Sequence, residues 1–180
     1  MNETLDLIRD ALRSQYRAGL RMLRAAIEAC PEDLWFDSES RHTNACWQVA
    51  YHTAFFTDFY LQPAAEGYQP WPGHHEGSQY PDGIAGPSRE GDDRPLLPPP
   101  YAKADVLALI DHIEDNLETT LASLDLTSAD SGFPWYPISK LEHQMVNLRH
   151  LQHGFAQLAD RLRDHCDIGI DWTGAVHSKE

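Results

Sequence analysis

Ala45-Cys-Trp-Gln-Val-Ala-Tyr-His-Thr-Ala-Phe-Phe-Thr-Asp-Phe-Tyr-Leu61 is the stretch on which the fold turns. It is apolar on most sides. Thr43 or Asn44 can cap its start, and Pro63 lies just beyond its end. A helix of this kind is stable only when several neighbours cover it, so the rest of the chain is expected to surround it. His52 stands at its middle.

Working outward, residues 3–30 place Leu5, Ile8, Leu12, Tyr16, Leu20, Leu23 and Ile27 at three- and four-residue steps. That spacing predicts an amphipathic helix, with Arg9, Arg13, Arg17 and Arg21 on another face and Pro31 ending it. Residues 62–101 hold most of the prolines and glycines and predict one long loop. Its Tyr68, Trp71 and Tyr80 suggest packing over something below. A third helix is expected over 103–124, with Asp111, Glu114, Asp115 and Glu118 between its apolar positions. A fourth is expected over 139–165, where Ser139 and Glu142 form a capping-box pattern. The tail 166–180 is read as a short extended edge or a strap on the helices. Four helices (about 3–30, 44–61, 103–124 and 139–165) without a strand pattern predict a single all-α domain over 1–180, a four-helix bundle.

The formal charge of −14 argues against nucleic acid and anionic membrane as partners, which are bound by clustered Lys and Arg. No apolar run approaches the roughly 18 residues of a membrane span. The first residues are acidic and do not resemble a signal peptide, so a cytoplasmic location is expected. Cys30, Cys46 and Cys166 form an odd set without CxxC spacing, which predicts neither a disulfide framework nor a cysteine zinc site. Cys46 reads as a core residue.

Of the ten histidines, His42, His74, His75 and His177 fall in expected loops or tails and read as solvated. His112 lies on a charged side, and His165 sits near a helix end, where the dipole favours it. His52 differs, because a buried imidazole needs a partner, either a neighbouring group or a metal ion. On the last helix His143, Asn147, His150, Gly154, Gln157 and Arg161 form a polar strip. His143 and His150 are two turns apart, roughly 10 Å, too far to share an ion. His150 and His153 diverge by about 60° around the axis and form a poorer pair than i, i+4. No GxSxG, HExxH or phosphate-binding glycine loop is present.

The run Trp47–Leu61, Pro100-Tyr101, the segment Ser131–Glu142, and Asn147-Leu-Arg-His-Leu-Gln-His153 with Gln157-Leu158 together resemble the DinB/YfiT-like superfamily. The likeness covers nearly the whole chain in order. It implies an up-down-down-up four-helix bundle, commonly a homodimer, holding a divalent metal such as zinc or nickel on three histidines. Characterised relatives include thiol-dependent isomerases and S-transferases. Carried over, the ligands are His52 and His150. The third would stand at position 154, where this chain has Gly154. His153 or a loop residue such as Glu76 is the expected substitute, with Gln157 and Tyr51 as substrate-facing polar groups. The expected function is therefore a metal-assisted hydrolase or thiol S-transferase acting on a small molecule. The alternative is a non-catalytic bundle that binds a small molecule or a protein without metal.

Overall fold

A computed structural model describes residues 3–37, 44–80 and 99–177, and these contain helices but no strand. The helices are α1 (Glu3–Ala29), α2 (Glu32–Phe36), α3 (Cys46–Leu61), α4 (Lys103–Ser123) and α5 (Lys140–Cys166). Twelve of the sixteen residues of α3 are buried, as its lack of a polar face requires. It lies between α4 and α5, and α1 closes the opposite side against the same two helices.

Side-chain pairings set the directions. Asn147 and Gln144 of α5 reach Thr57 and Tyr60, whereas Arg161 reaches Asn44, so α5 runs antiparallel to α3. Arg9 bonds the carbonyl of Leu124, Arg17 pairs with Glu118, and Arg24 pairs with Asp111 and Glu114, so α4 runs antiparallel to α1. Tyr16 meets Gln144 and Gly19 meets Leu151, which makes α1 and α5 parallel. A β-carbon on Gly19 would stand 2.6 Å from Leu151 Cδ2, so glycine is what lets these helices approach.

The arginine face of α1 thus meets the acidic face of α4. Arg13 Nε lies 2.7 Å from Glu118, and Arg17 joins the same carboxylate at 3.2 Å. Each pair is partly exposed and worth well under about 1 kcal/mol; their joint effect is to fix register. Burial of Leu20, Leu23, Ile27, Ile110, Ile113, Leu117 and Leu158 supplies the larger driving force.

Two local expectations need correction, and two others are met. Ala45, not Thr43 or Asn44, is the N-cap of α3, and its N–H donates to the Gln48 side chain. Thr43 itself lies outside the described residues. The first connection also holds α2, which lowers Trp35 into the core, where its indole N–H donates to Tyr101 O at 2.9 Å. The capping reading at Ser139 corresponds to the observed bond from Glu142 N–H to Ser139 Oγ at 3.2 Å. The described tail after α5 is a strap rather than an edge. It turns at Asp167, whose φ is 56°, and runs antiparallel along α1, with Thr173 N–H on Met22 Sδ and Val176 N–H on Ser14 Oγ.

Within the long loop, 62–80 are described and contain turns alone, while 81–98 lie outside the described residues. Tyr68 and Trp71 pack on the core. Tyr68 also donates to Asp58 Oδ2 at 2.7 Å, tying the loop to α3. No helix among the described residues is long and apolar enough to cross a membrane.

Candidate functional site

The polar strip of α5 faces α3, and most of it is spent on backbone. Helix ends leave carbonyls unpaired, and those at the end of α3 are taken by side chains of α5. Lys140 Nζ donates to Gln62 O, Pro63 O and Ser131 O. One turn on, Gln144 Nε2 donates to Tyr60 O at 3.0 Å, and Asn147 Nδ2 to Thr57 O at 3.1 Å. At the other end, Arg161 Nη1 donates to Asn44 O at 2.6 Å. These bonds fix the stagger of the two helices, and the stagger brings His150 against His52.

At Gly154 the helices are in contact. A β-carbon there would stand 1.9 Å from Thr53 Oγ1 and 2.8 Å from Thr53 Cβ. The position at which the resemblance places a third ligand is therefore filled by α3 itself.

His52 and His150 meet with their Nε2 atoms 3.1 Å apart. His52 Nδ1 lies 2.7 Å from the backbone carbonyl of Gln79. A carbonyl only accepts, so Nδ1 carries the proton and the Nε2 of neutral His52 presents a lone pair. In the ion-free pair His150 Nε2–H is then the donor. Two nitrogens sharing a tetrahedral ion would stand about 3.3 Å apart, so the same side chains suit either arrangement with a small adjustment. His150 Nδ1 is buried without a hydrogen-bond partner. Burial first, then the neighbouring His52 and His153 charges, push the His150 pKa down to about 4, which keeps the ring neutral and able to ligate. Phe56 packs on both rings, with centroids 4.8 Å from His52 and 5.9 Å from His150.

His153 is exposed, and its Nε2 lies 3.1 Å from Gln157 Nε2, so these two expected site residues pair on the outer side of α5. Glu76 is also exposed. Tyr51 is fully buried, and its hydroxyl lies 2.7 Å from His74 Nδ1, which makes His74 a half-buried partner rather than a solvated loop residue. His75 is exposed but stacks on Tyr101. His42 lies outside the described residues. Among the described residues, no three His, Cys, Asp or Glu side chains converge as a metal group. The donor set fits a two-nitrogen anchor and does not fit a three-ligand protein centre. Sequence reasoning missed the Gln79 carbonyl that orients His52. Backbone acceptors leave no residue-type signal.

His143 has a different character. It is wholly buried among Phe133, Tyr60 and Tyr136, and neither ring nitrogen has a hydrogen-bond partner. Burial, followed by the Lys140 charge, holds its pKa near 4. The unfolded chain takes up this proton near the ordinary value of about 6.5, so stability is lost as pH falls from there toward 4. His143→Leu is expected to flatten that loss and to raise stability at pH 7 by about 1–2 kcal/mol, because an orphaned polar group is removed. Urea unfolding at pH 7 and pH 5 measures both. An unchanged pH slope, or a variant weaker at pH 7, contradicts the expectation.

No family model, curated protein or solved structure matches this chain.

Proposed function

We propose that the chain is a DinB-like four-helix bundle whose working site is the His52–His150 pair, used as a two-histidine anchor for a divalent cation, zinc or nickel. The observation carrying this reading is the approach of the two Nε2 atoms to 3.1 Å while His52 Nδ1 is committed to the Gln79 carbonyl. A ring bonded through its far nitrogen is oriented and made more basic, as metal-binding histidines generally are. The helix directions, with α1 and α5 running one way and α3 and α4 the other, support the resemblance.

The cation, when bound, supplies Lewis acidity that lowers the pKa of a bound thiol or water, the chemistry of a thiol S-transferase or a hydrolase. The chain's own part is to hold His150 neutral and both imidazoles aimed, with Phe56 and Tyr60 packed against His150. Two protein nitrogens leave the rest of the shell to a small molecule, which favours a thiol-bearing one. The proposed setting is the cytoplasm, and the resemblance implies a homodimer, which sedimentation checks.

The test uses protein purified without a histidine tag, stripped with chelator and titrated with zinc or nickel, with and without a small monothiol. One equivalent is expected to bind, more tightly with the thiol. His52→Ala and His150→Ala should each weaken binding by at least about tenfold, and His153→Ala should not. No binding, together with no change in thermal stability on adding either metal, would sink the proposal.

The close contact of Gly154 with Thr53 favours a second reading, a metal-free bundle that binds a small molecule or a protein. Under it, metal changes nothing and His52→Ala acts through packing alone.

A further inference from the structure

Tyr101 lies just before α4, is buried, and is held at every part. Its carbonyl accepts from Trp35 Nε1 at 2.9 Å. Its ring stacks on Tyr51 and on His75, with centroids at 4.1 and 5.0 Å, and Trp47 meets it edge-on. A ring packed in this way fixes where its hydroxyl stands. That hydroxyl reaches the loop after α3, where it accepts from the His75 backbone N–H at 2.7 Å and donates to Gly73 O at 2.9 Å.

Two further ties act on the same segment. Tyr51 Oη lies 2.7 Å from His74 Nδ1, and the His74 N–H donates to Trp71 O at 2.8 Å. Trp71 is packed on the core, and Gly73 lets the chain fold over it, since a β-carbon there would meet the indole ring at 2.0 Å. From this fixed point the chain reaches Gln79 by two turns. Ser78 N–H bonds His75 O at 3.1 Å, and Tyr80 N–H bonds Gly77 O at 3.3 Å. Turns closed so near the clamp leave little freedom. The hold on Gly73 and His75 therefore decides where the Gln79 carbonyl stands.

That carbonyl matters for the histidine pair. A neutral imidazole carries its proton on either nitrogen, and the hydrogen bond made at one settles the other. With Gln79 O 2.7 Å from His52 Nδ1, the Nε2 of His52 is left as a lone pair facing His150. Without that acceptor the proton can sit on Nε2. There it blocks ligation and sets two N–H groups against each other.

We propose, on the reading of His52 and His150 as a cation anchor, that the Tyr101 hydroxyl is a positioning group for the pair. It clamps the loop so that the Gln79 carbonyl keeps the His52 proton on Nδ1. Its action runs through the loop backbone rather than through contact with the cation.

Tyr101→Phe and Tyr68→Phe make the decisive comparison. Each removes one hydroxyl that ties the loop down, but Tyr68 holds an earlier point, on Asp58 of α3. The proteins are labelled with 15N, freed of metal and kept near pH 8.5, well above the ordinary histidine value of about 6.5. A long-range 1H–15N spectrum then reports the tautomer, with the His52 signal assigned by its loss in His52→Gln. Wild type and Tyr68→Phe should show Nδ1–H, and Tyr101→Phe should show a large share of Nε2–H. Zinc affinity should fall about three- to tenfold in Tyr101→Phe, somewhat less than when an outer-shell partner is removed outright, and should hold in Tyr68→Phe. If Tyr101→Phe does not fold, Tyr51→Phe removes the tie to His74 and serves the same comparison. An Nε2–H tautomer already in the wild type, an unmoved tautomer in the variant, or an equal shift in Tyr68→Phe each overturns the proposal. The tautomer is read without metal, so a wild type that binds none defeats the anchor reading while the spectra still decide the positioning.

Discussion

Gly154→Ala should destabilise the protein by about 3 kcal/mol, although alanine in a helix interior normally gains up to about 1 kcal/mol over glycine. The reversal follows from one contact. The added β-carbon would meet Thr53 at 1.9 Å from Oγ1, 2.7 Å from Cγ2 and 2.8 Å from Cβ. Rotating Thr53 does not relieve it, since Cβ stays in place under any χ1 and Oγ1 is held on Val49 O at 2.7 Å. The helices must separate, and separation stretches the bonds from Gln144, Asn147 and Arg161 that join α5 to α3. Gly154→His should cost still more, so restoring the ligand implied by the resemblance does not by itself create a three-histidine centre. Pairing Gly154→Ala with Thr53→Gly should recover most of the loss, and a double-mutant cycle by urea unfolding measures that coupling. If Gly154→Ala proves neutral, the helices are not in contact there and the missing ligand needs another explanation.

That contact also marks where the sequence stops being readable. The long helices are legible because their signals are local. Leu5 to Ile27 repeat at helical spacing, Ser139 and Glu142 sit three apart, and the apolar run ending at Leu61 requires neighbours on several sides. α2 is not legible, since five residues carry too little periodicity and its weight rests on Trp35 reaching Tyr101, 66 residues away. His52 and His150 could be named as a pair only through the resemblance, because nothing within either helix fixes their relative stagger. The stagger is set by Lys140, Gln144 and Asn147 on α3 carbonyls, and backbone acceptors are invisible in residue types. Gly154 reads as a lost ligand in sequence and as a packing point in space.

Lys140→Met should cost about 3 kcal/mol, as much as a large core truncation, even though the new side chain keeps the apolar stem and nearly the volume. Lys140 is buried, forms no ion pair within 4.0 Å among the described residues, with Asp130 acting on it from farther off, and its ammonium instead faces three carbonyls. An ammonium has three donors and no acceptor, which matches the Gln62, Pro63 and Ser131 oxygens at once. Its stem lies by Phe133, with Nζ 5.1 Å from the ring centroid, a cation–π contact. Burial lowers the Lys140 pKa, so the charge is held at a cost that these acceptors offset. Methionine keeps the packing on Phe133 but strands the carbonyls, two of them at the end of α3, where no further helical N–H can reach them. Arginine is not a substitute, because a planar fork cannot converge on three acceptors from separate segments. Denaturant unfolding should rank wild type above both Lys140→Arg and Lys140→Met. Amide exchange should quicken first around residues 60–64 and 131–133, the segments this one side chain joins. If Lys140→Met is as stable as wild type, water satisfies those carbonyls, and the register of α3 on α5 is set by Gln144 and Asn147 alone.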